Sequence, residues 1–291
     1  MKFYESAYAK INLFLDVNCK MENGFHGISS VMHAVSLKDD ITVELVRPRK
    51  ELITMYIKGD FYLHCGNKNL AYRAAEAFME AYGEKFPIHI TMHKRIPVAA
   101  GLAGGSSDAA AVLRALNRAK NKPFTVSELC SIGEKLGSDV PFCIRGRTYL
   151  CEGRGEILTP VKSSLCLCAV VAIANERVST PAAYGKLDEM YNDFKVIDSS
   201  HRQRLMQVVS ALEKGDRGEL CRNLYNVFEG AVLPECPGAV ELKEKMLSLG
   251  AEAVMMSGSG PSVFGIFQDK QSAQNATRVI GANAYAVHSI V

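Results

Sequence analysis

Apolar and polar residues alternate over Ile88-His89-Ile90-Thr91-Met92, the period of a strand with one buried face. Residues 4–17 and 52–57 read as strands too, and residues 31–46 as a strand interrupted by a turn near Lys38-Asp39-Asp40. A helical stretch opens at Asn69, a good cap, and runs to about Tyr82, where Gly83 ends it. A second helix is expected from Asp108 through Asn117, which is rich in helix formers. A third covers residues 125–136, with Thr125 and Glu128 at capping-box spacing and Gly137 after its end. Phe142-Cys143-Ile144 reads as the start of a strand. Residues 165–174 read as a buried strand with Cys166 and Cys168 on one face. Helical stretches follow to about Gly250, with Leu242, Met246 and Leu249 at core spacing. A strand, a glycine turn over 257–261, a strand over 263–267, a helix over 269–280 and a closing strand complete the chain. The charged run 47–51 is a solvated turn. Helices and strands mix without steady βαβ alternation, so the expected class is α+β.

One stretch departs from these periods. Pro97-Val98-Ala99-Ala100-Gly101-Leu102-Ala103-Gly104-Gly105-Ser106-Ser107 holds three glycines, three alanines and two serines, and no charge. It lies between a strand and a helix. A helix start presents unpaired N–H groups and a positive dipole end, which together suit phosphate. Ser106, Ser107 and Asp108 are each able to cap that helix, and a serine hydroxyl is able to reach a phosphate or its metal. The loop is not a Walker A motif, which needs lysine after its last glycine, and its spacing is not that of the dinucleotide fingerprint. The plain alternative is a mobile surface loop before an ordinary helix. The serines and the strand-loop-helix context favour phosphate.

Composition narrows the partners. The chain has 291 residues, 48% of them apolar and 22% charged, with a net charge of +3, which fits a soluble globular protein. So small an excess predicts neither nucleic-acid nor membrane binding. Nine cysteines without a Cys-x-x-Cys pair argue for a reducing, cytoplasmic setting and against a zinc or redox site. The apolar run 165–174 is too short to cross a bilayer.

Four motifs together resemble the GHMP small-molecule kinases. Residues 97–107 with Asp108-Ala109-Ala110 are similar to the family's glycine-serine loop. Ala9-Lys10-Ile11-Asn12-Leu13 is similar to its opening motif. Gly137-Ser138-Asp139-Val140-Pro141-Phe142 is similar to its G-x-D-V-P motif, and Met256-Ser257-Gly258-Ser259-Gly260-Pro261 to its second glycine turn. Gly24-Phe25-His26 and Glu152-Gly153-Arg154-Gly155-Glu156 narrow the branch. The resemblance covers residues 10 to about 267. It implies a two-domain fold, residues 1–158 and 159–291, with the active site in the cleft between them.

It also implies phosphoryl transfer from ATP, with Mg²⁺, to the 2-hydroxyl of a cytidine diphosphate derivative of methylerythritol, in non-mevalonate isoprenoid precursor synthesis. The partner is then this small molecule, not nucleic acid or membrane, and the chain is a monomer or homodimer. By resemblance, the loop holds the ATP phosphates, with Ser107 near the metal. Asn69 and Lys94 lie near adenine and ribose; the plain role of Asn69 is its helix cap. Lys10 and Asp139 are catalytic. Asn12, Phe25, His26, Thr180 and Tyr184 meet the substrate, with the two rings closing on cytosine. Tyr8 stands where the family usually has proline, and Phe25 where it usually has tyrosine. Another kinase of the superfamily, such as homoserine or mevalonate kinase, and a non-catalytic ATP-binding sensor are the alternatives.

Overall fold

Asn69 opens α1 (Leu70–Tyr82) by accepting the Ala71 N–H at 2.9 Å, and Gly83 closes it in the left-handed region at φ 78. The computed structural model describes residues 1–21, 24–47, 51–59, 63–191 and 199–290. Before α1 come β1 (Lys2–Lys20), β2 (His26–Leu45) and β3 (Ile53–Lys58). After it come β4 (Ile88–His93), α2 (Gly104–Ala119), α3 (Val126–Glu134), α4 (Val140–Arg145), β5 (Thr148–Glu152) and β6 (Ile157–Pro160). Next are β7 (Cys168–Ile173), α5 (Thr180–Met190), α6 (Ser199–Lys214), α7 (Arg217–Asn223), β8 (Tyr225–Asn226) and α8 (Phe228–Val232). The chain ends with α9 (Pro237–Ser248), β9 (Ala253–Met256), β10 (Ser262–Phe267), α10 (Lys270–Ile280) and β11 (Ala284–His288). Part of the turn expected over 47–51, and part of the loop before β2, lie outside the described residues.

The chain forms two compact units. One takes residues 1–9, 37–98 and 103–146; the other takes 10–36, 99–102 and 147–291. This differs from a single boundary at residue 158. β1 and β2 are long enough that each contributes to both units.

In the first unit, the end of β2 pairs antiparallel with β4, and β3 pairs parallel with β4. Ile88, Ile90 and Met92 point into the core, as their alternation predicts. α1 packs on α2, and α2 and α3 pack on α4. Arg114 of α2 donates to Glu5 Oε2 at 3.0 Å, the Ser6 carbonyl at 2.9 Å and the Cys143 carbonyl at 2.7 Å, fixing α2 to both β1 and α4.

Two expectations fail here. No turn interrupts β2 at Lys38-Asp39-Asp40. Asp39 is buried and accepts from Lys94 Nζ, Arg95 N and Ile96 N, while Lys38 reaches Ser6 and Asp40 pairs with Arg95. Strand polarity is satisfied by partners the local sequence does not reveal. Phe142-Cys143-Ile144 is helix rather than strand: Pro141 sits in the first turn of α4, where a missing N–H costs nothing. A Cβ on Gly133 of α3 would lie 2.7 Å from Val140 Cγ1, so glycine permits the close approach of α3 to α4.

In the second unit, β8 pairs parallel with β1 at Phe14 and Leu15, and β5 pairs antiparallel with β2 and with β6. A second sheet runs β11-β7-β10-β9, antiparallel throughout. The strand expected over 165–174 begins only at Cys168, leaving Cys166 exposed outside it. Of the residues expected to be core in α9, Met246 is buried, whereas Leu242 and Leu249 are only partly so. Among the described residues, no helix is long and apolar enough to cross a membrane.

Candidate active site

The glycine loop follows β4 and leads into α2. Helix α2 begins at Gly104, with Ala103 at the N-cap in the left-handed region, φ 56, and no side chain caps it. Ser106, Ser107 and Asp108 therefore lie inside the helix and do not cap it. The first-turn N–H groups are left to be met by something other than a capping side chain. Ser107 is buried and donates to the Tyr8 carbonyl at 2.5 Å, pinning the first turn of α2 to β1. Its hydroxyl, expected near a metal, is thus turned to the protein.

The three glycines have different reasons. At Gly101, φ is 72 and a Cβ would run into the Ser257 carbonyl oxygen. At Gly104, a Cβ would lie 3.0 Å from Ile96 Cγ2 and 3.6 Å from Lys94 Nζ. Gly105 is exposed and helical, and its Cβ would meet nothing nearer than Leu70 Cδ1 at 3.4 Å. The protein's own packing does not require glycine at 105.

Lys94 sits beneath this helix start. Its ammonium is buried between Asp39 Oδ2 at 2.5 Å and Asp108 Oδ2 at 2.6 Å. Burial alone would lower the Lys94 pKa, but the two carboxylates outweigh it and hold it above its ordinary value. Burial raises the Asp108 pKa well above the carboxylate range against the pull of Lys94, and its Oδ1 has no partner among the described residues. Asp39 holds the ammonium while also accepting two backbone N–H groups. Lys94, expected near adenine and ribose, has its ammonium committed to these two side chains, close to the start of α2. Asn69 likewise uses both ends of its amide locally, accepting from Ala71 N and donating to the His64 carbonyl at 3.0 Å.

Residues 99–102 of the loop pack in the second unit. The Ala100 carbonyl accepts from the Ser262 hydroxyl, the Gly101 carbonyl from the Ser257 hydroxyl at 3.3 Å, and the Leu102 carbonyl from Lys10 N at 3.1 Å. The second glycine turn and the backbone of Lys10 thus shape this part of the loop. Lys10 is buried, with Nζ 2.7 Å from Asn12 Oδ1. Asn12, expected to meet substrate, is 1% exposed. Its Oδ1 also accepts from Gly258 N at 3.0 Å, and its Nδ2 donates to Ser30 Oγ at 2.8 Å. It is a bridge inside the protein rather than a surface contact.

His26 begins β2. Its Nε2 lies 2.6 Å from Asp188 Oδ1, and its ring stacks on Tyr184 with centroids 4.8 Å apart. Tyr184 and Asp188 stand four apart on α5, so both face His26. Lys20 joins Asp188 at 2.7 Å; its hydrogen bond is the main cause of the lowered Asp188 pKa. Phe25 is 56% exposed, with the Arg154 guanidinium 5.6 Å from its ring centroid. Thr180 is exposed, its hydroxyl 2.9 Å from that of Ser259 in the glycine turn. In the first unit, Asp139 precedes α4 as its N-cap without a side-chain cap bond, half-buried, while its carbonyl accepts from Cys143 N at 3.0 Å.

The glycine loop and the second glycine turn each fall within a segment that matches a known family. Residues 69–147 match the GHMP kinases N terminal domain, and residues 208–286 match GHMP kinases C terminal. A 4-diphosphocytidyl-2-C-methyl-D-erythritol kinase of Caldicellulosiruptor bescii is 40% identical over 270 residues, 93% of this chain and 91% of that one. The protein of that name in Macrococcus caseolyticus is 38% identical, over 95% of this chain and 94% of its own. The chain belongs to this family of GHMP kinases. A crystal structure of 4-(cytidine 5'-diphospho)-2C-methyl-D-erythritol kinase superposes with a TM-score of 0.80 at 31% identity, covering 99% of this chain and 100% of that one. Homoserine kinase from Cytophaga hutchinsonii, 21% identical with a TM-score of 0.74, shares the GHMP kinase fold. The motifs of this GHMP kinase were legible in sequence. Asp39, Asp108, Asp188, Ser257 and Ser262 were not singled out for their contacts, because each acts on a residue distant in the chain. Only Asp188 left a local trace, its helical spacing from Tyr184.

Proposed function

We propose that the chain transfers the γ-phosphoryl group of ATP to the 2-hydroxyl of 4-diphosphocytidyl-2-C-methyl-D-erythritol. The observation that carries ATP binding is the start of α2 with no capping side chain, beside Gly105, an exposed glycine that the protein's own packing does not require. The full-length likeness to kinases of that name supports the acceptor. Phosphoryl transfer needs positioning and stabilisation of charge on the moving group. The first-turn N–H groups of α2 hold phosphate oxygens. Asp139 accepts the proton of the attacking hydroxyl, and the Lys10 ammonium neutralises the charge that develops there. His26, oriented by Asp188 and Tyr184, reads the base edge, while Phe25 and Tyr184 offer ring faces for stacking, worth roughly 1–3 kcal/mol per base. Because stacking tolerates any base, discrimination falls to the histidine.

Among the described residues, no three His, Cys, Asp or Glu side chains converge on a metal position. A Mg²⁺ ion bound together with the nucleotide would supply neutralisation of phosphate charge.

A coupled ATPase assay with the cytidine substrate, its uridine analogue, homoserine and mevalonate tests the reading; turnover is expected with the cytidine substrate and greatly reduced with the others. Asp139→Asn is expected to lower kcat by about 10²-fold or more, the scale of acid–base groups, with ATP affinity nearly unchanged. Native turnover in Asp139→Asn removes this residue from the mechanism.

A further inference from the structure

The glycine turn over 257–261 is held on two sides. On one side, Gly258 N donates to Asn12 Oδ1, the same atom that accepts from Lys10 Nζ. On the other, Asn226 Nδ2 donates to the carbonyls of Met256 at 2.8 Å and Gly258 at 2.9 Å, while its Oδ1 accepts from Phe228 N at 3.0 Å. Glu229 Oε1 accepts from Met256 N at 2.8 Å and from Lys243 Nζ at 2.5 Å. Gly258 itself is in the left-handed region, φ 59, so glycine leaves its backbone free to turn unless its neighbours restrain it. Its N–H and its carbonyl are both tied, one to Asn12 and the other to Asn226.

Asn226 is 4% exposed, so its amide is fixed by the fold rather than by solvent. β8, which carries it, is paired in parallel with β1 at Phe14 and Leu15, close in sequence to Lys10 and Asn12. The turn is therefore clamped between two residues anchored on neighbouring strands. A shift of the turn would move Gly258 N, release Asn12 Oδ1, and with it the Lys10 ammonium. The same shift would loosen the bonds from Ser257 and Ser262 to the Gly101 and Ala100 carbonyls.

We propose that Asn226 and Glu229 are positioning residues for phosphoryl transfer: they hold the second glycine turn, and through Gly258 and Asn12 they fix the Lys10 ammonium. The proposal rests on the assignment of Lys10 to the reaction. Small displacements of a reacting group carry large rate effects, of order 10²-fold per ångström. A purely structural Asn226 would change stability and leave the reaction at Lys10 alone.

The experiment measures kcat, both KM values and Tm on the full chain for Asn226→Ala, Glu229→Ala, Glu229→Gln, Lys10→Ala and the double variant Lys10→Ala/Asn226→Ala. Asn226→Ala is expected to lower kcat by about 10- to 100-fold, with KM for the cytidine substrate changed less than about threefold. Glu229→Gln, whose amide oxygen still accepts the Met256 N–H, is expected to recover most of what Glu229→Ala loses. The double variant is expected to be within about twofold of Lys10→Ala, because residues acting as a unit are non-additive. Multiplying losses, or a native kcat in Asn226→Ala alongside a lowered Tm, overturns the proposal. If Asn226→Ala fails to fold, the Glu229 pair, each combined with Lys10→Ala, makes the same comparison. A native kcat in Lys10→Ala instead overturns the assignment of Lys10, and the positioning proposal falls with it.

Discussion

Two glycines of one loop have opposite relations to stability. Gly101 is required by its own protein: positive φ and the Ser257 carbonyl both exclude a side chain. Gly101→Ala is expected to cost about 1–3 kcal/mol through backbone strain and displacement of the turn, read as a lowered Tm. Gly105 lies in the first turn of α2 with ordinary space around it. Gly105→Ala is expected to stabilise α2 by about 0.5–1 kcal/mol, the helix preference for alanine, while weakening ATP binding. Calorimetry with ATP beside a thermal melt measures both. Unchanged ATP affinity in Gly105→Ala would mean the loop is only a connection. Lys94 shows the same point with charge: a lysine read as a ligand contact is committed to two buried carboxylates, because a buried ammonium without partners is too costly.

At the scale of elements, local and distant chemistry divide the helix and strand ends between them. The capping box of Thr125 and Glu128 and the Asn69 cap form as their spacing predicts, since each needs only neighbours in sequence. β2 and β5 are joined by a contact of another kind. His33 Nδ1 lies 2.8 Å from the Thr148 hydroxyl and Nε2 lies 2.8 Å from the Ser289 hydroxyl, which also accepts from Leu167 N. With the Ser289 hydroxyl donating to Nε2, the neutral ring donates from Nδ1. Burial pushes the His33 pKa down from 6.5 to about 4. In the unfolded chain the ring takes its proton near the higher value; in the folded chain, only near the lower. Between them the unfolded state binds more protons, so the contribution is whole above pH 6.5 and is lost as pH falls toward 4. The loss is about 3 kcal/mol. In His33→Asn this window should flatten: the Tm gap to the native chain is expected to be widest above pH 6.5 and to narrow near pH 4. A gap constant with pH would show that His33 is not held neutral.

At the scale of the molecule, the units are not consecutive pieces of chain. The second unit takes residues 10–36 as well as 147–291. Val35 bridges Ser289, Ile290 N donates to the Ala34 carbonyl at 3.0 Å, and Ile28 N donates to the Gly153 carbonyl at 2.7 Å. A fragment of residues 159–291 lacks these partners, leaving the strand groups without bonds and the buried faces of β1 and β2 missing. It is expected to show no cooperative thermal unfolding by circular dichroism. A cooperative transition in that fragment would restore the boundary near residue 158. The described cysteines are free thiols, so disulfides add nothing to this interdependence.

What the sequence alone determined is what short-range chemistry encodes: the α+β class, the caps of α1 and α3, the alternation of β4, and the glycine-serine loop with its helix, together with the motifs that mark a GHMP kinase. Each depends on residues within a turn or two of one another, or on a motif long enough to be specific. Tertiary structure alone decided the path of β2 through Lys38-Asp39-Asp40, the helix at Phe142, and the partners of Lys94, Asn12 and Gly258. Except at the Phe142 helix, a polar group in each case is satisfied by one far away in the chain. Asp39 meets Lys94 across 55 residues, and Asn12 meets Gly258 across 246. A buried polar group must find a partner wherever the fold brings one, and no local pattern says which residue that is.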